Sequence, residues 1–182
     1  METTKNSNSF WNDMLRPVVV LVVICLVASA ALGFTNSKTA PIIEENKNAA
    51  SVAARQAALP AATGFEKVEL SDELAANGVT SIYKSTNDVG YVVTAAFKGY
   101  GGDVVVTVGF DTEGKILNVD ADVSTETTGI GAELSKRVYL DKFNGKSGNV
   151  DDVTLKTGAT RTSTAVRNGV NAALDAVASL IG

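Results

Sequence analysis

The chain has 182 residues, 45% of them hydrophobic, and sixteen basic against twenty acidic residues give it a net charge of -4. That composition suits one packed domain rather than disorder, and without a basic cluster or interleaved aromatic and basic residues it offers nucleic acid no phosphate-tracking face. There is no histidine and one cysteine, Cys25, which excludes a histidine base, a histidine or multi-thiolate metal centre and an intrachain disulfide.

Residues 1–16 form a short polar N-terminus. Pro17 to Phe34 (PVVVLVVICLVASAALGF) follows, 18 residues without a charge. This is near the minimum for a helix crossing a hydrocarbon core of roughly 30 Å, so the first reading is a transmembrane helix over 17–34. Trp11 and Arg16 suit one interface, and Thr35, Asn36 and Lys38 the other. The competing reading is a cleaved signal peptide with Ala28-Ser29-Ala30 as the small-x-small site, although the apolar run exceeds a usual h-region. Ile24 before Cys25 argues against a lipoprotein signal. Lys5 and Arg16 on one side balance Lys38 and Lys47 on the other, so positive charge does not orient the span.

Thr39 to Ala58 repeats apolar residues at helical spacing until Pro60, which predicts a helical connector over 35–60. The β-branched and aromatic residues of Thr80–Lys84, Tyr91–Phe97 and Asp103–Phe110 predict strands. Gly99-Tyr100-Gly101-Gly102 lies between two of them and reads as a tight hairpin that needs no phosphate. Asp111 to Gly114 supplies a turn before a strand from Lys115 to Val123. Ala132–Leu140 predicts a short helix, and Thr164–Ile181 a longer one whose stripe is Val166, Val170, Ala173, Leu174, Val177 and Ile181. Strands flanked by helices make the fold α+β, with an antiparallel sheet.

Four segments stand out from this framework: Lys98-Gly99-Tyr100-Gly101-Gly102, Thr125-Glu126-Thr127-Thr128-Gly129-Ile130-Gly131, Phe143-Asn144-Gly145-Lys146-Ser147 and Thr157-Gly158-Ala159-Thr160-Arg161-Thr162-Ser163. In order and approximate spacing they resemble the G subunit of the Rnf electron-transport complex, and the similarity runs from about Pro17 to the C-terminus. The related C subunit of the sodium-pumping NADH:quinone oxidoreductase shares the last motif on a usually longer chain. The resemblance implies one FMN-binding domain over 61–182, an electron-relay role in a cation-coupled ferredoxin:NAD+ oxidoreductase, and other membrane subunits of that complex as partners. It also implies a cytoplasmic N-terminus, a domain on the periplasmic or extracellular side, and maturation by a magnesium-dependent flavin transferase using FAD.

By the same resemblance, Thr162 carries covalent FMN through its phosphate, with Thr160, Gly158, Ala159 and Thr157 around the attachment. Glu126, Thr127 and Gly129 belong to a loop along the isoalloxazine ring. The chemistry is reasonable for those residue types. A phosphoester needs a hydroxyl, Gly158 and Ala159 permit close approach, and a helix N-terminus favours an anion. Arg161 either pairs with the phosphate or faces solvent. The alternative for the heptapeptide is a plain helix cap. With or without FMN, Thr162 is expected to be a surface cap residue of the first turn, so that Thr162→Ala leaves the fold nearly intact at a cost of about 0.5–2 kcal/mol. The chain departs from the family pattern twice. Thr128 stands where proline is usual, and Thr154 where aspartate is usual, so either Asp151 or Asp152 fills that role from a shifted loop or recognition by the modifying enzyme is altered. Two further readings stay open: a free-standing extracellular flavoprotein, and a cofactor-free tethered interaction domain. Lys146 is a solvated charge without assigned chemistry.

Overall fold

The computed structural model describes residues 15–182; Lys5 and Trp11 lie outside them. The chain divides into two compact units at Ala49 and Ala50. Helix α1 spans Arg16–Ala58, so the apolar run and the alanine-rich connector form one helix of 43 residues. Thr35, Ser37 and Thr39 return their hydroxyls to the carbonyls of Ala31, Phe34 and Thr35 at 2.9, 2.8 and 2.9 Å, which lets polar residues continue the helix beyond Phe34. Within the 25 residues Arg16–Ala40 a stretch of 18 has a mean hydropathy of 2.8, and Leu21, Ile24, Leu26 and Val27 on it are exposed. Exposed apolar side chains over that length have the dimensions and chemistry of a membrane span.

In the second unit, β1 (Phe65–Val68), α2 (Asp72–Ala76), β2 (Val79–Ser85), β3 (Tyr91–Lys98), β4 (Asp103–Phe110) and β5 (Ile116–Asp122) follow in order. The five strands make one antiparallel sheet in the order β1-β2-β3-β4-β5. Val93 pairs with Val108 and Ala95 with Val106, so the apolar faces of β3 and β4 fall in register. After β5 come a 3-10 turn (Gly131–Ser135), α3 (Arg137–Leu140) and α4 (Thr160–Ile181).

α4 lays Val166, Val170, Ala173, Leu174 and Val177 on Val93, Ala95, Val104, Val106 and Val108 in the main core. Gly169 allows the close approach, since a Cβ there would lie 2.8 Å from Val106 Cγ2. Ile181, predicted for the buried stripe, is 43% exposed, because the helix has run past the sheet by its last turn. On the opposite face Ala58, Leu59, Ala62 and Val92 form a small second cluster. The carbonyl of Ala58 approaches β4 where a Cβ on Gly109 would be 2.1 Å away.

Four elements differ from the sequence expectations. β1 and α2 were not foreseen, and the helix expected over Ala132–Leu140 is two pieces, because Lys136 is extended (φ -73°, ψ 141°) between them. α4 begins at Thr160 rather than Thr164.

Candidate functional site

The β3–β4 hairpin, the loop after β5 and the first turn of α4 converge on one carboxylate. β5 ends at Asp122, whose side chain accepts from the Ser124 amide at 2.9 Å and turns the chain. Glu126 follows, 7% exposed. Its Oε1 accepts the amides of Tyr100 at 2.9 Å and Gly101 at 3.1 Å. Its Oε2 accepts the Thr162 hydroxyl at 2.7 Å.

Glycines make the room. A Cβ on Gly99 would stand 2.2 Å from Glu126 Oε1, one on Gly131 2.7 Å from Glu126 Cβ, and one on Gly101 2.1 Å from the Thr125 carbonyl. The hairpin is therefore a nest of backbone N–H groups for an anion, and the anion it receives is the protein's own side chain. Burial acts to raise the carboxyl's pKa, and the hydrogen bonds from Thr162, Gly101, Tyr100 and Gly102 outweigh it. The group sits below its usual range and is ionised at neutral pH.

Thr162 is the third residue of α4 and is 2% exposed. This corrects the expectation of a surface cap: the N-cap is Ala159, and no side chain caps that end. Gly158 turns the chain into the helix with φ at +84°, a conformation glycine adopts freely, and a Cβ there would meet nothing within 4 Å. Ser163 fastens the same turn, donating to the Ala159 carbonyl at 2.9 Å and accepting from the Lys156 amide at 3.2 Å.

Beside this arrangement opens a cavity of about 400 Å³, within the ~300–1,000 Å³ range of small-molecule sites. Of the predicted site residues, Glu126, Thr127, Gly158, Ala159, Thr160 and Thr162 line it. Thr157 and Gly129 do not, although both are exposed nearby in sequence. Arg161 lines the cavity while remaining exposed. Sequence reasoning missed Tyr100, Ile130 and Gly131 as wall residues. An aromatic side chain inside a glycine-rich hairpin was the available signal for the first. Glu126 was foreseen at the site but not as the partner of the Thr162 hydroxyl, since nothing in the local pattern joins positions 36 residues apart.

Neither acidic residue upstream of the heptapeptide lines the cavity. Asp152 pairs with Lys146 at 2.5 Å, and Asp151 accepts from Asn171 Nδ2 at 2.9 Å. Thr154 is exposed. Among the described residues no group of three or more cysteine, aspartate and glutamate side chains is placed to hold a metal.

The FMN-binding domain family matches residues 99–175, from the glycine hairpin through most of α4. The G subunit of the Na(+)-translocating ferredoxin:NAD(+) oxidoreductase complex of Acetobacterium woodii is 35% identical to this chain across 99% of both proteins. The G subunit of the proton-translocating ferredoxin:NAD(+) oxidoreductase complex of Clostridium ljungdahlii is 33% identical over 54% of this chain and 59% of its own length. The crystal structure of Shewanella oneidensis NqrC overlaps 54% of this chain and 61% of that one, at 18% identity and a TM-score of 0.44. With nearly full-length similarity to one such protein and the FMN-binding domain laid over the cavity, the chain belongs to the family of Rnf-type G subunits.

Proposed function

We propose that this protein is a membrane-anchored flavoprotein subunit that carries FMN on Thr162 through a phosphoester and relays electrons within an Rnf-type ferredoxin:NAD+ oxidoreductase coupled to cation translocation. One observation carries the choice of Thr162. Its hydroxyl is buried and held at the wall of the cavity, whereas Thr157 lies off the wall and Thr160 is exposed.

The residues present fit the group. α4 presents its first turn to the cavity without a side-chain cap, leaving backbone N–H groups and the positive end of the helix dipole for a phosphate. Arg161 adds opposite charge at the same wall. Tyr100 and Ile130 supply apolar surface for a ring system, and Thr127 a hydroxyl for its polar edge. When bound, FMN supplies the electron-carrying chemistry that no side chain here offers. The polypeptide tethers and orients it and shields one side of it from water.

In this reading residues 17–34 span the membrane, 35–60 connect, and 61–182 form the FMN domain on the periplasmic or extracellular side, with residues 1–16 in the cytoplasm. A flavin transferase with FAD performs the attachment, and the other subunits of the complex exchange electrons with the domain. The test is intact mass after co-expression with such a transferase. Native chain should gain the mass of one esterified FMN and Thr162→Ala should gain none. A labelled Thr162→Ala moves the linkage to Thr160, and an unlabelled native chain ends the proposal.

A further inference from the structure

The two oxygens of Glu126 have different partners. Oε1 is held by two backbone amides, of Tyr100 at 2.9 Å and Gly101 at 3.1 Å, which can only donate and stay where the hairpin puts them. Oε2 accepts from one group only, the Thr162 hydroxyl at 2.7 Å. Esterification removes that hydroxyl's hydrogen. Oε2 then faces an ester oxygen with no proton between them, and a phosphodiester bearing one negative charge is joined to the same atom.

We infer that Glu126 is a proton site created by cofactor attachment: a carboxylate in the bare protein, it becomes a carboxylic acid in the loaded one, with Oε2–H donating to the ester phosphate. This rests on the reading that Thr162 is the attachment point. On attachment the Thr162 Oγ1–P bond forms, the P–O–P link of the flavin dinucleotide breaks, nucleoside monophosphate leaves, and the hydroxyl proton comes to reside on Glu126 Oε2.

Geometry keeps the side chain in place for this role. Glu126 is walled by Gly99 and Gly131 at distances where even a methyl group would collide. The amides of Tyr100 and Gly101 both donate to Oε1, and they favour the carboxylate; the carbonyl oxygen of an acid still accepts them in the same place, though more weakly, so the phosphodiester charge has to outweigh that difference. Only Oε2 has to change, from acceptor to donor. Two anions sharing one site cannot both stay charged at low cost, and a phosphodiester gives up its proton far more readily than a carboxyl, so the carboxyl is the one to be neutralised.

The charged groups around it are few. From α4, Arg161 lines the cavity and opposes the change, but it is exposed and screened by solvent. From the hairpin, Lys98 and Asp103 pair with each other at 3.1 Å, and Tyr100 contributes a phenol. From the 3-10 turn, Glu133 is paired with Lys136 at 2.6 Å.

The experiment is infrared spectroscopy at neutral pH on full-length protein, prepared bare and loaded by co-expression with a flavin transferase, each with ordinary and 13C-labelled glutamate. Loaded protein should show a protonated-carboxyl C=O band that shifts with the glutamate label and is absent from bare protein. The band should vanish from loaded Glu126→Gln. Where that variant does not fold, the isotope shift in native protein decides alone. A loaded protein confirmed by mass to carry FMN at residue 162 but lacking the shifted band overturns the inference. Native protein that acquires no FMN mass at that residue overturns the attachment itself, a separate outcome.

Discussion

Thr162 and Glu126 form a buried, charge-assisted contact, and this sets what each substitution costs. Thr162→Ala removes the side-chain donor to a buried carboxylate, so it should lower the stability of the bare protein by ~1–3 kcal/mol in denaturant unfolding. A surface residue at that position would cost less, and a loss below about 0.5 kcal/mol would contradict the buried contact. The Glu126 carboxyl is held below its usual value in the fold. Its stabilising contribution is therefore complete above the unfolded-state pKa of ~4.3 and is lost as the pH falls through the lower folded value. In acid titrations of bare protein, the stability gap between native chain and Glu126→Gln should be constant near neutrality and close below about pH 4. A gap that widens in acid would reverse the sign of the shift.

Elements were legible in the sequence where a long periodic pattern met a buried face. β4 matched its expected limits because its valines pair across β3 and pack under α4. β1 escaped notice because it has four residues, half of them exposed at the sheet edge, too few to show alternation. α2 has five residues and no buried side chain, and only the Ser71 cap on Leu74 N at 3.4 Å betrays it. The start of α4 lies earlier than its apolar stripe suggests because Ala159, its N-cap, has no side-chain oxygen to announce a helix. The heptapeptide and the glycine hairpin were both visible as motifs, but their junction through Glu126 is a tertiary fact. The hairpin also explains itself as an element. Gly99→Ala and Gly101→Ala each place a methyl group about 2.2 Å and 2.1 Å from an oxygen, so each should lower the melting temperature and expose the Glu126 contact. Hydrogen exchange at the Tyr100 and Gly101 amides checks this, with faster exchange expected in either variant. On α4, Gly169→Val forces a side chain onto Val106, where a Cβ alone is already 2.8 Å away; overpacking of this kind costs ~1–3 kcal/mol in thermal unfolding.

At the scale of the whole molecule, the first 25 residues of α1 are its membrane-spanning candidate, and the unit from Ala50 onward carries its own core. The full chain should stay with membranes through alkaline carbonate washing, and deletion of residues 16–40 should release it; a full chain extracted by the wash would argue for peripheral attachment. The order of elements has its own outcome. All five strands precede α4, and α4 alone supplies Val166, Val170 and Val177 to the sheet's apolar face. A ribosome that has just finished β5 has therefore produced a sheet covered on one face by Ala58, Leu59 and Ala62 and bare on the face that α4 takes, and that bare face cannot be buried until the C-terminal helix has been made. That delay keeps the polypeptide threadable while it is being made, which suits the passage through an export channel that the proposed topology demands.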